Sequence, residues 1–247
     1  MTFPHAVRAT LDRSGWFRAL PDALRESLLA HGRVRALAAG ERLFMRGDAD
    51  DGLYCVLDGI VRIGAASVAG REALLAVIEP VNWFGEIALF DGRPRTHDAY
   101  AERESRVFHV SRAALAALLA REPHHWHAFG LLVTHKLRLA FDAIEETALL
   151  PAAQRVARRL LLMARGFDAG DADDTSRDAQ HAPAFVSMRR VLKVPQEDLA
   201  MMLALSRQTI NQVLKQFEAQ GALALRYAEI EIVDPDTLAA LGGLPRA

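Results

Sequence analysis

A short run of residues, 84–96, combines the side chains needed to hold a sugar phosphate. It reads Phe-Gly-Glu-Ile-Ala-Leu-Phe-Asp-Gly-Arg-Pro-Arg-Thr. Its glycines let the backbone approach a ligand closely and expose amide groups toward an anion. Arg95 can form paired hydrogen bonds to a phosphate, and Glu86 can accept one from a sugar hydroxyl. Together with Gly85 and Thr96, these residues predict a site for a small anionic effector.

A second group of polar residues follows a predicted helix N-cap near the C-terminus. Ser206 is a good N-cap, and the helix that it begins runs to about Gln220. Apolar residues recur at helical spacing on one side of this helix and leave a polar face on the other. That face consists of Arg207, Gln208, Asn211, Gln212 and Lys215. Amides and a guanidinium near a helix N-terminus are groups that read base edges in a DNA major groove.

The elements around this helix predict a winged helix-turn-helix. A shorter helix over 195–203 and a three-residue break precede it, and two short strands around a turn follow it over 223–233. Basic residues are concentrated locally in this part of the chain. We expect the phosphates of double-stranded DNA to be contacted by Arg189, Arg190, Lys193, Arg207 and Lys215.

The N-terminal half must position the anion site, and its pattern is that of a β-roll. Between about 33 and 110, short β-rich runs alternate with Gly and Asp turns, which predicts an antiparallel sandwich or roll. Short helices are predicted over 11–31, and a long helix begins after Pro123 and ends near Glu146. The predicted organisation is α+β, with a β-roll domain (1–122), a long dimerisation helix (123–148) and a winged helix-turn-helix domain (149–247).

One stripe of the long helix is suited to pairing with a second copy of the chain. Its members recur every three or four residues and are Phe129, Val133, Leu137, Ala140 and Ile144. A second apolar face contains Leu131, Leu132 and Leu139. We therefore predict a homodimer, in which one face of the helix packs on the β-roll and the other meets the symmetry mate.

The composition excludes several classes of protein. The formal net charge of -1 excludes a broadly basic surface, so nucleic-acid contacts must come from a local patch. The single cysteine, Cys55, excludes an internal disulfide and a four-thiolate cluster within one chain. The sequence shows neither a signal peptide nor a membrane-spanning run, which predicts a cytoplasmic protein without membrane contact. The polar run 166–183 is expected to be an exposed loop.

The order β-roll, long helix and winged helix-turn-helix resembles that of the Crp–Fnr transcription regulators over about residues 16–241. Residues 84–96 look like the phosphate-binding cassette of this family's cyclic-nucleotide-binding domain. Ser206 and Thr209 match the Ser-Arg-x-Thr opening of its recognition helix. The turns of the predicted β-roll are similar to the family's glycine frame at Gly40, Gly47 and Gly59.

The resemblance implies a cyclic nucleotide effector, with Glu86 on the ribose and Arg95 on the cyclic phosphate. Ala140 and Phe141 stand where cyclic-AMP-binding members have two hydroxyl residues that meet adenine, so Phe141 either stacks on a base or fills the pocket. Asp98 stands where nucleotide binders have a small or neutral residue, and it either repels the phosphate or points outward. Cyclic AMP, cyclic GMP and cyclic-di-GMP are candidate effectors, and an effector-independent regulator is an alternative. The resemblance also implies a palindromic DNA site and RNA polymerase as a further partner.

Three positions of the helix-turn-helix depart from the family pattern. Gln208 and Gln212 stand where the family's usual base readers are a glutamate and an arginine. An amide at each of these positions favours different bases, which predicts a different target sequence. Ala204 stands in the turn where glycine is common, and this replacement is tolerable if Ala204 keeps a negative φ.

Other functions are less well supported by the sequence. His97 and His109 are candidate haem ligands on predicted strands, although a lone strand histidine is usually structural. His124, His125 and His127 are interpreted as a polar helix start and not as a metal site, because no carboxylate or cysteine completes a four-ligand set. The chain has no recognisable catalytic set, so we predict that it is not an enzyme. A ligand-sensing module with a degenerate helix-turn-helix, acting through protein contacts, remains an alternative.

Overall fold

The computed structural model describes residues 5–66, 72–166, 188–226 and 229–244. The chain forms two compact units, Met1–Leu139 and Ala140–Ala247. The predicted polar loop lies outside the described residues from residue 167 onward. Among the described helices, none is both long enough and apolar enough to cross a membrane.

The first unit contains two antiparallel sheets of four strands each, which confirms the predicted β-roll. Three helices precede the strands: α1 (His5–Leu11), α2 (Gly15–Ala19) and α3 (Asp22–His31). The strands are β1 (Gly32–Leu37), β2 (Arg42–Phe44), β3 (Gly52–Asp58), β4 (Val61–Ala66), β5 (Glu72–Ile78), β6 (Trp83–Phe84), β7 (Asp98–Ala101) and β8 (Ser105–Ser111). One sheet has the order β1-β8-β3-β6 and the other β2-β7-β4-β5.

One helix connects the two sheets, and further helices follow the last strand. The short helix α4 (Ile87–Asp91) joins β6 to β7, and α5 (Arg112–Arg121) follows β8. A 3₁₀ turn (Pro123–His125) then leads into the long helix α6 (Trp126–Leu149). Pro123 stands at the first position of this turn, where its missing N–H costs no hydrogen bond. Leu139 of α6 is the last residue of the first unit.

Aromatic side chains form much of the core of the first unit. Trp83 is 1% exposed and lies against Trp16, Phe17 and Phe108, with ring centroids 5.0, 5.7 and 5.9 Å away. Phe129 of α6 belongs to the same cluster and is fully buried. The assignment of Phe129 to the dimer interface is therefore wrong, because its ring already packs inside its own unit.

The second unit is a helix-turn-helix with a three-stranded sheet. Its elements are α7 (Ala152–Arg165), β9 (Val191–Leu192), α8 (Gln196–Leu203), α9 (Arg207–Ala219), β10 (Leu223–Arg226), β11 (Glu229–Ile232) and α10 (Pro235–Leu241). The strand order is β10-β11-β9, so the predicted wing is a hairpin that gains a third strand. The third strand, β9, has only two residues, so no sequence pattern predicts it.

Two residues other than glycine have positive φ among the described residues. Val81, just before β6, has a φ of 69°, and Ala204, between α8 and α9, has a φ of 50°. The condition of a negative φ at Ala204 is not met. The turn is left-handed because the N–H of Leu205 reaches back to the carbonyl oxygen of Ala200 at 3.0 Å, in the pattern that ends many helices.

Candidate functional site

The predicted anion site follows the short strand β6 in the first unit. Gly85 has a φ of 94°, and a Cβ atom there would lie 2.9 Å from the carbonyl oxygen of Gly52. Only glycine fits such a position without strain. Glu86 comes next, and α4 ends at the left-handed Gly92, with a φ of 66°, before the chain reaches Arg95.

Arg95 is held inside the site and is not presented to solvent. Its side chain is 3% exposed, and its guanidinium donates to the carbonyl oxygens of Gly85 at 2.8 Å and Gly52 at 2.6 Å. It also forms ion pairs with Asp50, at 3.1 Å, and with Asp51. Two carboxylates of the same unit therefore neutralise the charge that the sequence assigns to a phosphate. Its Nε is buried and has no hydrogen-bond partner among the described residues.

Neighbouring side chains fix the two carboxylates. Asp50 accepts from Arg112 at 2.8 Å, and Asp51 accepts from the Tyr54 hydroxyl. Burial raises the pKa of Tyr54, so its phenol stays protonated and donates this hydrogen bond. His109 stacks on Tyr54 with 4.4 Å between ring centroids, and its Nε2 lies 3.0 Å from the Asp51 carbonyl oxygen. These contacts give His109 a structural role.

Glu86 is also buried and paired. Its side chain is 4% exposed, and its carboxylate lies 2.7 Å from Nζ of Lys136 on α6. Lys136 donates as well to the carbonyl oxygen of Trp83, at 2.6 Å. The long helix is therefore tied to the anion site by a lysine that the sequence pattern did not single out.

The residues after Arg95 have local partners. Thr96 is exposed, and its hydroxyl lies 2.9 Å from Nδ1 of His97. Asp98 accepts the backbone N–H of Arg46 at 2.7 Å, which places its carboxylate on a neighbouring turn. Burial and the Arg46 guanidinium lower the pKa of His97, while Asp98 opposes that shift.

The structure places four of the five predicted effector residues in one unit. These four are Gly85, Glu86, Arg95 and Thr96, on the segment between β6 and β7. Phe141 lies on the part of α6 that belongs to the second unit, where its side chain is 60% exposed.

Helix α9 presents the predicted DNA-reading face. Ser206 is its N-cap, and its hydroxyl accepts the N–H of Thr209 at 3.0 Å. Thr209 completes this cap, with 2.8 Å between the two hydroxyl oxygens. The apolar side of α9 is buried, and the exposed side carries Arg207, Gln208, Gln212 and Lys215. Because Ser206 and Thr209 hydrogen-bond to each other, their clearest role is to fix the start of this helix.

Asn211 has a partner that the sequence pattern did not reveal. Its Nδ2 donates to Oε1 of Gln196, at the start of α8, over 3.1 Å. Both residues line a depression of about 500 Å³ together with Arg207, Gln208 and Gln212. The depression lies at the N-terminal end of α9, where base edges are read in helix-turn-helix proteins. Gln196 was missed because a single amide at a helix start carries no pattern.

The predicted phosphate-binding cations differ in what they contact. Arg189 donates to the carbonyl oxygen of Met163 at 2.8 Å, and Arg190 donates to that of Val233 at 2.9 Å. Both are therefore engaged with the backbone of their own unit, although Arg190 stays exposed. In the described part of the chain, no carboxylate pairs with Arg207 or Lys215, so their charges remain for an external anion.

The far part of the predicted dimer stripe is exposed. Leu137 and Ile144 are 51% and 65% exposed, and Ala140 is exposed between them. Val133 is half-buried. A row of apolar side chains facing water on one helix marks a surface that another molecule covers.

Two family models match the chain. The cyclic nucleotide-binding domain matches residues 34–122, and the Crp-like helix-turn-helix domain matches residues 154–241. The chain belongs to the Crp–Fnr family of transcription regulators. Family membership confirms the predicted fold class and a DNA-binding regulator, and this family is one of regulators and not of enzymes.

Individual relatives cover nearly the whole chain. The CRP-like cAMP-activated global transcriptional regulator of Mycobacterium tuberculosis is 27% identical over 229 residues, which are 93% of this chain and 96% of the relative. The cyclic AMP receptor protein of Thermus thermophilus is 26% identical over 83% of this chain and 85% of its own length. The structure of FixK2 from Bradyrhizobium japonicum shares the fold, with a TM-score of 0.69, 20% identity and coverage of 87% of this chain and 98% of its own.

Proposed function

We propose that this regulator is a homodimer that reads a palindromic DNA site with α9. Gln208 and Gln212 contact base edges, and Arg207 and Lys215 contact phosphates. The observation that carries this proposal is the capped helix whose exposed face holds these two amides and two cations. Neither cation has a carboxylate partner among the described residues. Amides of this kind favour adenine, and cations supply the salt-dependent part of the affinity.

Selection from a random duplex library tests the DNA proposal. Two half-sites about one helical turn (~34 Å) apart are expected, because a two-fold dimer places its recognition helices at that separation. The double variant Arg207→Ala, Gln212→Ala should lose this preference while remaining dimeric. Gln220→Ala, at the exposed C-terminal end of α9, is the matched control and should bind like the wild type. A function that survives the double variant would favour the alternative of a protein-contact module.

The dimer contact proposed for this regulator is the exposed part of the α6 stripe. Leu137, Ala140 and Ile144 form its centre, with Val133 at its buried end. A charged residue at Leu137 should dissociate the dimer, as measured by sedimentation. The same charged residue placed at Thr134 is the control and should leave the dimer intact, because Thr134 is exposed on α6 outside the predicted stripe.

We further propose that a cyclic nucleotide controls DNA binding from the site around Arg95. The family model covers this segment, and the Mycobacterium tuberculosis relative is named as cAMP-activated. Nε of Arg95 is buried and has no hydrogen-bond partner in the described part of the chain, so it is a donor that a phosphate oxygen can use. Cyclic AMP is the first candidate, and cyclic GMP and cyclic-di-GMP are the others.

Calorimetry with each nucleotide tests the effector proposal. Arg95→Lys keeps the positive charge but loses the paired N–H donors of the guanidinium. Saturable binding to the wild type that is lost in this variant would support a phosphate site. Thr96→Val is an exposed second variant that leaves the buried network intact. If no nucleotide binds, the alternative of an effector-independent regulator is favoured, since Asp50 and Asp51 already neutralise Arg95.

A cellular location and a protein partner complete the proposal on family grounds. A transcription regulator acts where the DNA is, so we place this chain in the cytoplasm. RNA polymerase is its proposed protein partner at the promoter. A transcription assay with purified polymerase and a selected site measures whether the regulator raises or lowers transcript yield.

A further inference from the structure

We propose that Glu122, His124 and His125 form a binding site for a divalent transition-metal ion. The three residues lie at the end of α5 and in the 3₁₀ turn that leads into α6. One ligand atom from each lies within 4.8 Å of the other two. The site belongs entirely to the first unit and is separate from the residues around Arg95 in sequence and in its contacts.

The 3₁₀ turn explains why a carboxylate joins the histidines. Glu122 is the N-cap of this turn, and the backbone N–H of His125 donates to the Glu122 carbonyl oxygen at 3.1 Å. This closure of the turn brings the two side chains together, with Oε2 of Glu122 3.1 Å from Nε2 of His125. Glu122 was not counted with the histidines from the sequence, and it supplies a third ligand atom to the cluster. Among the described residues, the cluster still falls short of a set of four protein ligands.

The distances suit a small metal ion. Zinc binds histidine nitrogen and carboxylate oxygen at about 2.0–2.1 Å, so two ligands of a tetrahedral ion are about 3.3 Å apart. The pair formed by Glu122 and His125 already has nearly this separation. The His124 ring centroid lies 4.1 Å from that of His125, and His124 is exposed, so its ring can turn toward the ion.

The ligand types select the class of ion. Imidazole nitrogens with one carboxylate suit zinc, nickel and copper, whereas calcium and magnesium prefer oxygen ligands only. Three protein ligands leave a fourth position for water. His125 is 2% exposed, so one ligand is held rigidly while His124 remains accessible to an incoming ion. The bound ion would join the end of α5 to the start of α6.

Titration of Zn²⁺ into the chelator-treated full-length protein tests the site, with visible Co²⁺ absorption as a report on coordination. One ion per protomer is expected. His124→Ala and Glu122→Gln should each weaken binding by about 100-fold, since even partners outside the ligand set contribute 10- to 100-fold. Both variants change partly or fully exposed side chains, and thermal unfolding checks that they fold.

His127→Ala is the matched control, because His127 is an exposed histidine of the same segment outside the cluster. It should bind Zn²⁺ like the wild type. The proposal is overturned if the wild type shows no saturable binding. It is equally overturned if His124→Ala and Glu122→Gln bind as tightly as the wild type, or if His127→Ala weakens binding as much as they do.

Discussion

Replacing Ala204 with glycine is expected to stabilise the helix-turn-helix unit. Ala204 follows α8 with a φ of 50° and a ψ of 43°, and it occupies the position where glycine usually ends a helix. Its N–H lies 3.4 Å from the carbonyl oxygen of Met201, and the N–H of Leu205 reaches Ala200. These hydrogen bonds keep the residue in the left-handed region, so the strain cannot relax by a local rotation.

The magnitude follows from two opposing effects. The left-handed conformation costs a residue other than glycine about 1–2 kcal/mol. Glycine has more conformational freedom to lose on folding, which offsets about 0.4–1 kcal/mol of that gain. Ala204 is exposed, so removal of its methyl group leaves no cavity. Ala204→Gly should therefore raise the free energy of unfolding by about 0.5–1 kcal/mol, or roughly 2–6 °C in Tm for a domain of about 100 residues.

Thermal and denaturant unfolding of the full-length protein measure the effect. Ala219→Gly is the matched control, because Ala219 is exposed in the same unit but lies in α9 without positive φ. It should lower stability by up to about 1 kcal/mol, since glycine is a poor helix former. The reasoning is refuted if Ala204→Gly is as destabilising as this control.

Three further predictions concern other strained or polar positions. Val81→Gly should raise the free energy of unfolding of the first unit by less than about 1 kcal/mol in denaturant titrations. The strain of a β-branched residue at a φ of 69° is relieved, but glycine's chain entropy and the loss of a half-buried side chain offset part of that gain. Gln196→Ala should weaken DNA binding by about 1 kcal/mol in anisotropy titrations, since Asn211 loses the hydrogen bond that orients it; an unchanged affinity would contradict this. The lowered pKa of His97 means that the unfolded chain binds its proton more readily, so stability should fall as pH drops below about 6.5. His97→Gln should remove this part of the pH dependence.

The elements of both units could be predicted because their signals are local. The N-cap at Ser206, the proline at position 123 and the alternation of short strands with glycine turns each act over a few residues. Helix α9 and the wing could be predicted for the same reason. Strand β9 could not be predicted, because two residues gain a strand conformation only by pairing with β11.

The residues of the effector segment were predictable, but their partners were not. Gly85, Glu86 and Arg95 stand out by type and spacing. The ion pair between Arg95 and Asp51 joins residues 44 positions apart, and that between Glu86 and Lys136 joins residues 50 apart. Such contacts arise from the folding of the sheets and of α6, so no local pattern contains them. The state of charge of the site is therefore a property of the tertiary structure.

The dimer stripe was predicted from spacing, and spacing alone cannot tell a core face from an interface. Phe129 and Ile144 both belong to the predicted stripe, yet one is fully buried and the other 65% exposed. The difference arises because only the start of α6 has Trp16 beside it, at 5.6 Å from the Phe129 ring.

DNA reading by α9 is tested most directly by the affinity of the purified regulator for a selected palindromic duplex, measured over a range of salt concentrations against a scrambled duplex. We expect tighter binding to the palindrome at every salt concentration. Arg207→Ala should lower the salt slope by about 1 per protomer, because one phosphate contact is lost in each. Equal affinity for the two duplexes, or an unchanged slope in the variant, would contradict the claim that α9 reads DNA through its exposed face.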